Sequence, residues 1–387
     1  MYFSRDTKVY LHARMSSSTA VPDRYYEIPV LDGFSFSQAT NATEVTLNEA
    51  QNTSGASRRG RKMFNDSLAP AEWSFSTYIQ PFIAATGGTV GTGGAAAATT
   101  GGVTHVREVS EALWAGLLAD TVNGAINTVA AGTASTSLDY VQIQSNSATL
   151  GVFDLYFVLG GATDSDRNYT VDTNDSAVMI YKIADCSVNE ASIDFDLDGI
   201  ATVNWSGMGS VISENPSKNF STSVYEGVGK TNTFIRNRVS DLTIVATTPT
   251  SGTFNATMTG GNITISNNLT YLTPDTLGTV NQPLGHVTGT RTIGGSFTCY
   301  ADPADQGSVE LFENLIENTD TVTNSNALTF DIGGGVAPYF QIKFDQAHLE
   351  IPTHSIEDVI SMEFTFHALP STMSATDEIS TMKFVGV

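Results

Sequence analysis

Cysteine is nearly missing from this chain: 387 residues contain two, Cys186 and Cys299. So sparse a pair, set far apart in strand-like segments, argues against a disulfide framework and reads as two reduced core thiols. Charge is scarce as well. Asp, Glu, Lys and Arg make up 15% of the residues, too little for the Glu- and Lys-rich surfaces of helical proteins. Bases are the scarcer sign, 18 Lys and Arg against 40 Asp and Glu, for a net charge of −22. Counterion release needs basic contacts, so the balance argues against a grip on nucleic acid, though not against DNA passing an acidic wall.

No apolar run reaches the length of a membrane-crossing helix. Residues 1–15 carry Arg5, Asp6, Lys8 and Arg14 without an apolar stretch, so neither a secretory signal nor membrane contact is expected. The frequent Asn-x-Ser/Thr triplets then follow from composition. Six histidines show no metal-ligand spacing, and no P-loop, dinucleotide fingerprint or nucleophile elbow occurs. The expectation is a chain without catalysis, metal or cofactor.

What is present is strand. Apolar residues alternate with polar ones at Ile193–Asp198, Ile263–Ile265 and Met362–Phe366. Helical spacing is confined to the neighbourhoods of 107–120 and 308–318. Residues 83–104 form a Gly/Ala/Thr-rich insertion.

The order of these signals repeats. Trp73-Ser74-Phe75-Ser76-Thr77-Tyr78 is followed by Leu113, Trp114, Leu117 and Leu118 at helical spacing. Gly295-Ser296-Phe297-Thr298-Cys299-Tyr300 is followed by Leu311, Phe312, Leu315 and Ile316. An aromatic strand ending in paired glycines comes next in both, Phe157–Gly161 and Phe330–Gly334. Tyr181 and Ile183 then answer to Phe340 and Ile342, and Val203 and Trp205 to Met362 and Phe364. Four matches in one order predict two tandem copies of one mainly β domain. Each is expected to be an antiparallel sandwich or barrel with one flanking helix. The first copy would span 1–210, a linker 211–235, and the second copy 236–387, with Phe75 over Phe297, Leu113 over Leu311 and Trp205 over Phe364.

These residues resemble bacteriophage tail tube (major tail) proteins. Glu72–Tyr78 is similar to the family's inner-sheet strand, Ser192–Gly207 to its closing strand pair, and Gly289–Thr298 to the corresponding strand entry of the second copy. The resemblance implies two orthogonally packed sheets, one of which joins its neighbours in a barrel around a lumen. It also implies rings that stack into a conduit for the genome, made of three chains where the domain is duplicated. The implied partners are further copies of the chain, a tape-measure protein, and tail terminator or baseplate proteins. DNA would transit without specific binding, and the protein would be assembled in the bacterial cytoplasm into the virion tail. A second reading, from the β-rich composition alone, is an adhesion or carbohydrate-binding module on a virion or cell surface.

Two clusters stand out. Asp194, Asp196 and Asp198 begin like a calcium loop, but its twelfth place is Trp205 where a bidentate Glu is needed. Alternation instead puts Phe195 and Leu197 on one strand face and the three aspartates on the other, as an acidic wetted face. Arg58, Arg59, Arg61 and Lys62 form the one dense basic run, a candidate for docking on an acidic surface of an adjacent subunit or ring.

Overall fold

The computed structural model describes residues 7–13, 24–45, 62–83, 106–118, 121–122, 125–126, 138–140, 150–159, 179–214, 233–246, 251–274, 277, 280–317, 326–356, 358–373 and 375–387. The chain is mainly β, with antiparallel strand pairing and two α-helices among the described residues. The first half opens with β1 (Thr7–Ala13), β2 (Arg24–Ile28), β3 (Val30–Val45), β4 (Lys62–Tyr78), β5 (Pro81–Ile83) and β6 (Val106–Glu108). Helix α1 (Glu111–Leu117) follows, then β7 (Thr121–Val122), β8 (Ala125–Ile126) and β9 (Leu138–Tyr140). β10 (Phe153–Leu159), β11 (Met179–Asp196), β12 (Thr202–Gly209) and β13 (Ile212–Glu214) complete it. The second half begins β14 (Asp241–Ala246), β15 (Gly252–Asn255), β16 (Met258–Ser266), β17 (Leu269–Leu272), β18 (Gly285–Thr288) and β19 (Thr292–Tyr300). After α2 (Ser308–Glu317) come β20 (Asn326–Ile332), β21 (Tyr339–Leu349), β22 (Thr353–Ile356), β23 (Ile360–Ala368) and β24 (Thr381–Val385).

The halves pair their strands in the same order. In the first, β2–β1–β10–β11 form one layer and β11–β12–β4–β3 the next. In the second, β15–β14–β20–β21 are followed by β21–β23–β19–β16. β11 serves both layers by turning at Asp185, whose φ of 52° lies in the left-handed region. A strand that bends from one sheet into the other makes the corner of such a packing. The facing residues also recur: Phe75 lies opposite Trp205, and Phe297 opposite Phe364. Each half has a register shift at the same place, between Phe153 and Leu155 and between Asn326 and Leu328.

Two expectations are revised. Phe157 faces Tyr181 while Phe330 faces Ile342, so Tyr181 matches Ile342 instead of Phe340. The turn from β22 to β23 is shorter than the turn from β11 to β12, which is why a single spacing misled. The segment placed as a linker begins with β13, hydrogen-bonded to β11 at Tyr181–Ile183. The Gly/Ala/Thr insertion lies outside the described residues, apart from Ile83 at the end of β5.

One apolar core runs through both halves. Trp114 of α1 packs edge-on to Trp205, 4.7 Å between centroids, and lies 5.9 Å from Phe340 and 5.7 Å from Phe384 of the second half. All seven residues of α1 are buried. Of α2, only Ser308, Leu311, Asn314 and Leu315 are.

Candidate assembly surface

Eight strands form a continuous inner layer in the order β3–β4–β12–β11–β16–β19–β23–β22. Period-two alternation sends Trp73, Phe75, Trp205, Ile193 and Phe195 into the core. The opposite face carries short polar side chains linked strand to strand. Ser35 and Ser74 hydroxyls are 2.8 Å apart, and Ser76 Oγ donates to Asn204 Oδ1 at 2.6 Å. Asn204 Nδ2 donates to Asp194 Oδ2, and Thr264 Oγ1 to Ser192 Oγ at 3.4 Å. Across residues 33–38, 71–78, 190–196, 202–209, 258–266, 292–300, 353–356 and 360–368 there is no Lys or Arg, while Glu72, Glu190, Asp194, Asp196 and Glu363 are present. Over these stretches the layer is therefore acidic on its polar side.

The halves are joined through an edge. β11 pairs with β16 from Glu190 opposite Ser266 to Asp196 opposite Gly260. Phe195 faces Gly261, and a Cβ on that glycine would fall 2.9 Å from the Phe195 ring and 2.5 Å from the Ser296 carbonyl oxygen. The small residue makes room for the aromatic one, which reaches Phe330 of the second half at 6.0 Å. The joint is locked at its end by Asn267 and Arg291. Asn267 Nδ2 donates to the Leu117 carbonyl at the end of α1, at 2.9 Å, and Arg291 Nη2 to the same oxygen at 3.3 Å. Burial lowers the Arg291 pKa to about 10, which leaves it charged at neutral pH. The β17–β18 hairpin folds onto the first half: Tyr271 Oη donates to the Asp185 carbonyl at 2.6 Å, and the Leu150 N–H donates to His286 Nε2 at 3.2 Å.

At the two ends of the layer the strands have, among the described residues, one bonded edge each. β3 is bonded to β4, and β22 to β23. All four residues of β22 are exposed, and Ile351, Ile356, Val359 and Ile360 form an uncovered apolar group around it. Phe312 of α2 is half-buried against His354, 4.8 Å away.

The aspartates are brought together only in part. Asp194 and Asp196 lie on the polar face, but the strand ends at Asp196. Contrary to the alternation expected, Leu197 is exposed and Asp198 sits in the turn, 3.3 Å from Arg238 Nη1. Asp196 Oδ1 accepts the Gly199 N–H at 2.6 Å and closes that turn. No cluster of His, Cys, Asp or Glu suited to a metal occurs among the described residues. Lys62 begins β4 and is exposed, 5.2 Å from the Phe64 ring centroid. Arg58, Arg59 and Arg61 lie outside the described residues, in the connection between β3 and β4. Sequence reasoning missed Arg291, Asn267 and Tyr271 because their partners are distant in the chain and no local pattern marks them.

An acidic sheet face ending in strand edges that lack a second partner among the described residues suits a structural subunit. No protein-family model matches the chain. It is 31% identical over 362 residues to the tail tube protein pb6 of Escherichia phage T5, an alignment covering 91% of this chain and 69% of that protein. The chain belongs to the bacteriophage tail tube proteins, and with them to the structural components of the virion tail.

Proposed function

We propose that each chain is a tandem duplicate of one tube domain and that three chains close a ring of six such domains. Rings stack into a hollow conduit through which the genome passes. The observation that carries this reading is the β11–β16 joint: one half completes the other's sheet through an edge, and the matching edges, β22 and β3, have no second strand partner among the described residues. A heterologous edge-to-edge contact of this kind makes a ring when its rotation closes, and it removes exposed strand edges. In the ring the polar face of the inner layer lines the lumen. Its lack of Lys and Arg lets DNA slide without being held. Tail terminator, baseplate and tape-measure proteins meet the ends and interior of such a tube, and assembly takes place in the host cytoplasm.

Electron microscopy of concentrated purified protein tests the reading. Class averages of end-on views are expected to show three chains per ring with six similar lobes, and side views to show open-ended tubes. Rings of six full chains would overturn it. So would a protein that stays monomeric at high concentration, as a sugar-binding adhesion module would.

A further inference from the structure

We infer that the strand pairing which joins the halves inside the chain is repeated between chains, as β22 of one copy against β3 of the next, in a register fixed residue by residue. The inference rests on the ring reading above and adds to it the residues that touch. Within the halves, Asn204 faces Ser192 as Glu363 faces Thr353, and Thr202 faces Asp194 as Ser361 faces Ser355. β22 is thus the counterpart of the outer stretch of β11. On the other side, Phe297 faces Gly261 as Phe75 faces Phe34, and Ser296 faces Asn262 as Ser74 faces Ser35. β3 is thus the counterpart of β16. Inside the chain, Ser192 lies opposite Thr264, Asp194 opposite Asn262 and Phe195 opposite Gly261. Carried across, Thr353 lies opposite Ser37, Ser355 opposite Ser35 and Ile356 opposite Phe34 of the second copy.

The side chains suit this register. On the polar face the pairs are hydroxyl against hydroxyl, which bond across a strand pair and bring no charge together. On the core face the two joints differ in bulk, and the pair between chains is the larger. The internal joint sets a large residue on β11, Phe195, against Gly261 of β16. The joint between chains sets a smaller one on β22, Ile356, against the larger Phe34 of β3. Exposure agrees: Phe195 is 5% exposed because the second half covers it, whereas Ile356 is 79% exposed. Phe34 and Phe36 are half-buried, stacked on Phe157 at 5.2 and 4.5 Å, and offer the apolar bed that Ile356 lacks within its own chain.

Cysteine pairs test the register in the full chain. Ser35→Cys with Ser355→Cys, and Ser37→Cys with Thr353→Cys, put thiols on facing residues. Ser35→Cys with Thr353→Cys is displaced by one step along the face. The two native thiols can stay in place, since Cys186 and Cys299 are both buried. After assembly and mild oxidation, the two facing pairs are expected to yield covalent trimers on non-reducing gels, and the displaced pair to lose them. Tubes that form normally while the displaced pair links, or while no pair links, would overturn the register and leave the ring reading standing. Absence of rings from the unaltered protein would overturn both. Should a cysteine pair itself block assembly, Ile356→Asp decides: it is expected to abolish ring formation while leaving the melting of the isolated subunit unchanged, and unimpaired assembly would refute the contact.

Discussion

Arg291, at the entry to β19 in the second half, donates a hydrogen bond to the carbonyl of Leu117, the last residue of helix α1 in the first, over 3.3 Å. Arg291 is 7% exposed, and its Nε also donates to Asn267 Oδ1 at 3.0 Å. A cation at a helix C-terminus meets the negative end of the helix dipole and satisfies a carbonyl that the helix leaves open. Here the helix and the cation come from different halves, so the bond ties them.

Replacing Arg291 with alanine is therefore expected to cost about 2–4 kcal/mol, since buried bonds to a charged group are lost and the Leu117 carbonyl keeps one donor instead of two. Denaturant unfolding of dilute, unassembled protein measures it. An unchanged midpoint would show that water replaces the guanidinium at no cost.

Glu108 is expected to make stability fall with pH. Its carboxyl is fully buried, and desolvation raises its pKa from 4.5 to about 8, against the lowering effect of bonds from Gln80 and Ser110. A raised folded-state pKa means that the neutral form suits the fold. The contribution is complete below about 4.5 and is lost as pH rises through about 8. Between those limits the loss is on the order of a few kcal/mol. Glu108→Gln cannot ionise, so its stability curve should be flatter and should cross above that of the natural protein toward the alkaline end. Parallel curves would assign the pH dependence elsewhere.

Gly207→Ala should destabilise by about 1–3 kcal/mol through overpacking. The added Cβ would lie 2.3 Å from both the Ser187 carbonyl oxygen and the Trp73 ring. Neither yields readily, because one is backbone and the other is a buried indole. A thermal melt at neutral pH is sufficient to see the effect.

Placing bases on the polar face should convert a conduit into a trap. Assembled tubes of the natural protein are expected not to retain linear DNA at physiological salt. Tubes carrying Ser74→Lys and Ser76→Lys should retain it at low salt and release it steeply as salt rises. Retention by the natural tubes would contradict an acidic lumen, and no retention by the variant would place this face outside it.

Reversing Arg58, Arg59, Arg61 and Lys62 should weaken polymerisation while leaving subunit folding unchanged. Each exposed pair contributes about 0–1 kcal/mol, and repetition around a ring multiplies it. The deficit should be largest at low salt, where screening is least. Equal assembly of variant and natural protein at low salt, followed by light scattering, would leave the run as a solvated loop.

The inner layer was legible because its rule is local. Trp73, Phe75 and Trp205 alternate with Ser74, Ser76 and Asn204, and that pattern alone sorts core from surface. The shared strand order of the two halves follows the same local alternation. The registers were less so: a shortened turn leaves no mark in composition, and spacing alone therefore sets Tyr181 against the wrong partner. Asp198 failed because a strand's end is decided by its turn, here the bond between Gly199 and Asp196. The lock formed by Arg291, Asn267 and Leu117 spans the chain, and no periodicity encodes it.

Residues 40–70 match the second half poorly, and the fold gives the reason. β3 and β4 run on as one long hairpin whose outer part is exposed, with Met63 and Phe64 more than half uncovered. Between β16 and β19 the chain instead turns off at Asn268, with φ of 49°, into the β17–β18 hairpin that lies against the first half. A subunit with a single domain must repeat one hairpin shape at every position around its ring. In the ring proposed above, two linked domains would free that constraint: alternate positions would specialise, the β3–β4 hairpin free to reach a neighbour and the β17–β18 hairpin bracing its own chain, so that a wall of six domains would acquire threefold fittings without a second gene product.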